Sequence, residues 1–323
     1  MRACVFVRVL ACGIALCSAV PALAQSWPAK PVRMVVPFPA GGVLDRLTRV
    51  TGQRLSEQWG QQVLVENRPG GSTIIGTEFV ARAPADGYTL LMMAATFVIN
   101  PSLRVKMPFD TLKDFTPVTK MAQTPNVFVV HPSLPVKTVK DVVALAKARP
   151  GELTYASIGT GTPQHLAGEM FKQIAKIDLV HVPYQGGAPA VTAMLGGHVS
   201  MMFVNLAEVQ PYIEAGRMRL IAVATAKRVE TFKQVPTMTE SGVPGFDSTS
   251  WFGMVAPAGT PKEIINKLQA DIARTLQMPD IRANLVAQGL TPVGDTPELF
   301  AAFIRQEMAT YGKVIKDGNI KAD

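Results

Sequence analysis

The sequence predicts an α/β fold in which a mostly parallel sheet carries helices on both faces. Apolar, β-branched segments alternate with segments of helical periodicity along the whole chain. Hydrophobic residues make up 48% of the 323 residues and charged residues 17%, a composition that excludes a disordered chain. A chain of this length is too long for one growing core, so we expect two domains.

Most of the predicted strands are short apolar runs rich in valine and methionine. They cover residues 32–36, 89–93, 126–130, 154–157, 199–204, 220–224 and 252–255.

Three predicted helices begin with a threonine that can cap the first turn. The threonines and their partners are Thr138 with Asp141, Thr260 with Pro261 and Glu263, and Thr296 with Pro297. A spacing of four places the following residues on one face of the helix after Thr260: Ile264, Leu268, Ile272 and Leu276. The last helix is expected to bury Phe300, Phe303 and Ile304.

The first 24 residues predict a secretory signal peptide. A basic start is followed by an apolar stretch and by Ala22-Leu23-Ala24, whose small residues suit cleavage after Ala24. All three cysteines of the chain fall in this segment: Cys4, Cys12 and Cys17. The exported product is therefore expected to lack disulfides, thiolate metal sites and a thiol nucleophile.

Three glycine-rich turns each follow a predicted strand and precede a predicted helix. They are residues 37–42, 159–162 and 184–189. Backbone N–H groups at a helix N-terminus attract anions through hydrogen bonds and the helix dipole. One such turn is as easily an idle turn, but three on one chain favour a cleft for a small anion.

The motifs of nucleotide binding and of catalysis are missing from the sequence. Gln164 stands where a dinucleotide fingerprint needs glycine, and no Lys-Ser or Lys-Thr pair follows the turns. There is no G-x-S-x-G and no H-E-x-x-H, and the four histidines are not at paired ligand spacing. We therefore expect no enzyme, no cofactor and no metal. The net charge of +8 comes from dispersed bases, so we also expect no nucleic-acid partner.

The order of motifs along the chain resembles that of the Bug-type, or TctC-type, substrate-binding proteins of tripartite tricarboxylate transporters. The shared segments are residues 36–42 with Asp45, then 67–71, 86–91 and 100–101, then 159–162 before His165, 181–184 before Gly186, 195–197, 235–237 and 256–261. They span nearly the whole exported chain, so the resemblance is specific.

The resemblance implies two α/β domains that close on a ligand like a flytrap, with the ligand cleft between them. Residues 25–126 and 251–323 would form one domain, and residues 127–250 the other. It implies a periplasmic, non-enzymatic receptor that delivers a small organic acid to membrane transporter subunits. We expect this receptor to be a monomer.

The resemblance also assigns ligand contacts by position in the motifs. In the first domain these are Phe38, Ala40, Gly41, Gly42, Asp45 and Thr96. In the second domain they are Thr160, Gly161, Thr162, His165, Gly186 and Asn205. From the residues alone, the Asp45 carboxylate is instead expected to stabilise the first turn of its helix.

Two departures from the family pattern bear on the ligand. Many members have aspartate where this chain has Val204, before Asn205, and the apolar pair Val43-Leu44 follows Gly42. We therefore expect a carboxylate without an α-ammonium group and with an apolar or aromatic body. Two alternatives remain at this point: a secreted hydrolase that uses His165 with a threonine hydroxyl, and a solute sensor that docks to a signalling receptor.

Overall fold

The structure, a computed structural model, describes residues 27–104 and 106–321. The predicted signal peptide, residues 1–24, lies outside these ranges and stays a prediction. Within the described residues, no helix is long and apolar enough to cross a membrane.

The strands and helices alternate as predicted for an α/β protein. The strands are β1 (Val32–Val36), β2 (Val63–Asn67), β3 (Thr89–Ala94), β4 (Phe115–Val130), β5 (Thr154–Ser157), β6 (Val180–Pro183), β7 (Met201–Asn205), β8 (Arg219–Val223), β9 (Thr249–Pro257) and β10 (Thr291–Pro292). The helices are α1 (Val43–Trp59), α2 (Ile74–Ala81), α3 (Thr96–Leu103), α4 (Val139–Ala148), α5 (Pro163–Ala175), α6 (Gly187–Leu195), α7 (Leu206–Glu214), α8 (Lys262–Gln277), α9 (Pro279–Ala287) and α10 (Pro297–Asp317).

The sheet has two halves that share strand β4. The strand order is β2-β1-β3-β9-β4-β7-β5-β6, and β8 and β10 also pair with β4. Residues 115–125 of β4 pair with β9, whereas residues 126–130 pair with β7. We call β1, β2, β3, β9 and β10 with the start of β4 the first half, and β5 to β8 with the end of β4 the second half.

The centre of the sheet differs from the predicted parallel arrangement. Strands pair in parallel at β1–β2, β1–β3, β5–β6 and β5–β7. The β4 pairs with β7, β8 and β9, and the β3–β9 pair, are antiparallel. The β4–β9 pair follows from the path of the chain: β4 carries it from the first half into the second, and β9 carries it back.

Two of the three predicted threonine caps are confirmed. Thr138 forms a capping box with Asp141, and the Thr296 side chain accepts a hydrogen bond from the Leu299 N–H. The prediction for Thr260 is wrong, because α8 begins only at Lys262. The Thr260 hydroxyl instead donates to the Pro257 carbonyl oxygen at 2.7 Å and closes the turn after β9.

The sheet places the three glycine turns near one another. The first turn joins β1 to α1, the second joins β5 to α5, and the third joins β6 to α6. A hydrophobic core lies on each face of each half, and α1 and α8 pack on one face of the first half.

Candidate ligand-binding site

One cavity lies where elements of both halves meet, and we call it the main cavity. It has an empty volume of about 560 Å³, which includes space open to solvent. Its walls come from the β1–α1 turn, the start of α3, the starts of α5 and α6, the β7–α7 junction and residues 250–252 of β9. Both halves therefore contribute to one concave surface, a common position for a small-molecule site.

Most of the residues assigned from the resemblance lie on this surface. Those that line the main cavity are Phe38, Ala40, Gly42, Asp45, Thr96, Thr162, Gly186 and Asn205. Thr160 lines an adjoining cavity, which shares Phe38, Thr96, Thr162 and Gly186 with the main cavity. Gly41, Gly161 and His165 line neither of these two cavities. All twelve remain predicted ligand contacts.

The first turn is held in place by side chains of its own helix. The Gly41 N–H donates to Asp45 Oδ2 at 2.9 Å, and Gly41 has a φ of 87°, which favours glycine. The Asp45 carboxylate also accepts hydrogen bonds from Arg49 and Asn67, each at about 3.0 Å. This carboxylate supports the turn, as expected from the residues alone.

The surroundings of Asp45 keep it ionised. Burial raises the pKa of the Asp45 carboxyl, but the hydrogen bonds from Arg49, Gly41 and Asn67 outweigh this effect. The pKa therefore lies below its ordinary value, and the negative charge is stable under the turn.

The second turn directs two of its assigned residues into the protein. A Cβ atom at Gly161 would lie 3.0 Å from Asn100 Oδ1 and 3.1 Å from Leu103 Cδ2, so this glycine lets α3 pack against the turn. His165 is buried, and its ring stacks on the His181 ring with centroids 4.5 Å apart. Thr162 caps α5 by accepting a hydrogen bond from the His165 N–H.

The first and third turns touch each other across the two halves. A Cβ atom at Gly186 would lie 3.1 Å from Pro39 Cδ, and Gly186 has a φ of 107°. Glycine is needed here for both reasons, because it allows the unusual φ and the close approach of Pro39.

A buried polar network, which the sequence analysis missed, lies behind the cavity wall. Gln164 Nε2 lies 2.8 Å from Asn126 Oδ1, 2.8 Å from Asn205 Oδ1 and 3.0 Å from Ser250 Oγ. Gln164 lies in α5, and its three partners come from β4, β7 and β9, the strands at the junction of the two halves. The signal in the sequence is a polar residue next to an apolar run, as at Asn126 before Val127 and at Asn205 after Val204.

Gln164 also presents an unsatisfied acceptor. It lines the main cavity and is fully buried, and its Oε1 atom has no hydrogen-bond partner among the described residues. A buried acceptor of this kind costs free energy unless a ligand or water donates to it.

Glu208 is the second group that the sequence analysis missed. It lies in the first turn of α7 and lines the main cavity, and its side chain is only 5% exposed. Its Oε1 atom accepts a hydrogen bond from the Val43 N–H at 3.1 Å. Burial raises the pKa of Glu208, and the charge of Arg46 and the Val43 hydrogen bond offset only part of this rise.

Val204 does not reach the cavity. Its side chain is fully buried in the core of the second half, where it packs with Val127 and Met202. The acidic group of this region is Glu208, four residues further along the chain. The cavity has apolar walls even without Val204: Phe38, Val43, Leu44, Trp251 and Phe252.

The fold and the cavity are those of a solute-binding protein in which two α/β halves enclose the site. Residues 47–320 match the family described as "Tripartite tricarboxylate transporter family receptor", and the chain belongs to that family. The resemblance seen in the sequence is thereby confirmed. The family consists of receptors, so the protein is a solute receptor and the hydrolase alternative is wrong.

The alignments with similar proteins cover nearly the whole chain. Protein BugT of Bordetella pertussis is 37% identical over 94% of this chain and 94% of its own length. The structure titled "R. palustris Rpa4515 with adipate" is 38% identical, with a TM-score of 0.88 over 91% of this chain and 99% of that chain. MatC from Rhodopseudomonas palustris, with bound malate, is 28% identical, with a TM-score of 0.84 over 89% of this chain and 99% of that chain.

Proposed function

We propose that the protein is an extracytoplasmic receptor that binds a small organic carboxylate in the main cavity and delivers it to the membrane subunits of a tripartite tricarboxylate-type transporter. The observation that carries this proposal is the meeting of helix N-termini and apolar walls from both halves in one cavity. Helix N-termini favour an anion, and the walls favour an organic body. Adipate and malate, the ligands named with two similar structures, are carboxylates.

The proposed mechanism is closure of two domains on the ligand. We assign residues 25–126 and 251–323 to one domain and residues 127–250 to the other. Strand β4 and strand β9 connect them, and their pairing changes partner at Pro125 and Asn126. In this proposal the signal peptide is cleaved after Ala24, and the receptor acts in the periplasm as a monomer.

The proposed ligand has an apolar or aromatic body and no α-ammonium group. Apolar contact with residues such as Phe38 and Trp251 contributes about 25 cal/mol per Å² removed from water. Val204 lies in the core, so its side chain gives no support to the expectation that the ligand lacks an α-ammonium group. An α-amino acid and its deamino analogue, compared as a matched pair, test it, and tighter binding of the amino acid would point to Glu208 as the partner of the ammonium.

A thermal-shift screen with mono-, di- and aromatic carboxylates tests the proposed function. A ligand that binds only the folded state stabilises that state by mass action and so raises Tm. At a free ligand concentration of one hundred times Kd, the free energy of unfolding increases by about 2.7 kcal/mol. We expect Asn205→Ala, in the cavity, to reduce the ligand-induced rise in Tm. The control Asn284→Ala, exposed on α9, should leave the rise unchanged. If no carboxylate raises Tm, the proposal is wrong.

A further inference from the structure

The Glu208 side chain places a carboxylate at the start of two helices. Glu208 Oε1 accepts a hydrogen bond from the N–H of Val43, the first residue of α1. A Cβ atom built on Gly187, the first residue of α6, would lie 2.3 Å from the same oxygen. Glu208 therefore fills the space between the N-termini of α1, from the first half, and α6, from the second.

Neither helix has a cap of its own. The residues before them are Gly42 and Gly186, which make no side-chain capping hydrogen bond. By contrast, α5 has the Thr162 side chain as its cap. The Glu208 carboxylate thus occupies the position that the N–H groups and dipoles of α1 and α6 make favourable for an anion.

Arg46 is the cation next to this carboxylate, and it is only partly engaged with it. Arg46 Nη1 lies 3.8 Å from Glu208 Oε2, but Arg46 also donates to the carbonyl oxygens of Gly41 and Ala207 and is 36% exposed. The Glu208 side chain, at 5% exposure, is shielded from water. Repulsion between like charges is stronger in such a shielded position than in water.

A second, independent observation concerns Gln164. This residue lines the same cavity, and within residues 27–104 and 106–321 its buried Oε1 atom has no hydrogen-bond partner. An ionised carboxylate can only accept hydrogen bonds, so it satisfies neither this oxygen nor the Glu208 carboxylate. A ligand carboxylate beside either group is therefore unfavourable, whereas a hydrogen-bond donor on the ligand satisfies both.

We propose that Glu208 restricts this receptor to monocarboxylates, because its own carboxylate occupies the place where the second carboxylate of a dicarboxylate would bind. This inference rests on the proposed function, carboxylate binding in the main cavity. The single carboxylate of the ligand is bound by polar groups elsewhere on the cavity wall, such as Thr96. The other end of the ligand is apolar or carries a hydrogen-bond donor.

Matched pairs of ligands test the inference by titration calorimetry. The pairs are butyrate with succinate, hexanoate with adipate, and benzoate with terephthalate, at a pH where all are fully ionised. The proteins are the wild type, Glu208→Gln, Glu208→Ala and the control Glu214→Gln, which changes an exposed glutamate of the same helix. Circular dichroism establishes that each variant is folded.

For each matched pair of which at least one member binds, we expect the wild type to bind the monocarboxylate about tenfold or more tightly than the dicarboxylate. Glu208→Gln and Glu208→Ala should reduce this ratio by about tenfold or more, and Glu214→Gln should leave it unchanged. Preference of the wild type for the dicarboxylate, or an unchanged ratio in both Glu208 variants, overturns the inference and leaves the proposed function intact. Failure of every carboxylate to bind any of the proteins overturns both.

Discussion

Glu208 and Val43 lie 165 positions apart in the chain, and the Glu208 carboxylate accepts a hydrogen bond from the Val43 N–H at 3.1 Å. This bond joins α7 of the second half to the first residue of α1 in the first half. Both residues line the main cavity, so a change at Glu208 affects both the stability of the protein and the shape of its site.

We expect Glu208→Gln to raise Tm at neutral pH. The folded protein raises the pKa of Glu208 above its ordinary value of 4.5, so the folded state holds the proton more tightly than the unfolded state. Stability therefore falls as pH rises from the ordinary pKa through the raised one, and glutamine avoids this loss. Scanning calorimetry over this pH range should show that the difference in Tm between Glu208→Gln and the wild type becomes smaller in acid. A variant less stable than the wild type at neutral pH contradicts this account, and Glu214→Gln is the control.

Gly187→Ala should destabilise the protein through Glu208. The new methyl group would lie 2.3 Å from Glu208 Oε1, which forces the carboxylate away from the helix N-termini. We expect a loss of about 1–3 kcal/mol in the free energy of unfolding, as for other overpacked sites. In the Glu208→Ala background the same substitution should cost much less, and a double-mutant cycle measures the difference. Equal costs in both backgrounds would show that the two residues are not coupled.

Asp45→Asn should weaken the first turn. The carboxylate accepts hydrogen bonds from the Arg49 guanidinium, the Gly41 N–H and the Asn67 amide, so we expect a loss of about 2 kcal/mol at neutral pH. Because the pKa of Asp45 is lowered in the folded state, this contribution is present above the ordinary pKa of 3.8 and is lost as pH falls through the folded value. Urea denaturation should show the difference from the wild type shrinking in acid. The control is Asp317→Asn in an exposed pair.

Ligand binding should change the fluorescence of Trp251. This side chain lines the main cavity and donates from Nε1 to Glu307 Oε2 at 2.7 Å. Trp59 lies outside the cavity, where its ring packs 5.3 Å from that of Trp27. A carboxylate that raises Tm should alter the emission of the wild type and of Trp59→Phe, but much less that of Trp251→Phe. An equal change in all three proteins would place the ligand elsewhere.

The sequence predicts the local elements of this fold better than their pairing. Strands β1 and β5 have the predicted bounds because each ends at a glycine turn that precedes a helix. The antiparallel pairing of β4 with β9 was not predicted, because the direction of a strand depends on the path of the whole chain. The short strand β10 and strand β2, which is only partly buried, lack a continuous apolar signal.

In the candidate site, too, the features that depend on local sequence were predicted and those that depend on packing were not. The turns were found from glycines next to strands and helix starts, which is local information. Glu208 was missed because an acidic residue in the first turn of a helix is common on protein surfaces, and only packing against α1 and α6 turns it inward. The position of Val204 could have been foreseen, since neighbouring strand residues point to opposite faces and Asn205 lines the cavity.

The most direct test of the central claim is a crystal structure of the protein with the carboxylate that raises Tm most. We predict that the ligand lies in the main cavity and contacts residues of both halves, including the β1–α1 turn and Asn205. A carboxylate bound outside this cavity, or in contact with one half alone, would contradict the account.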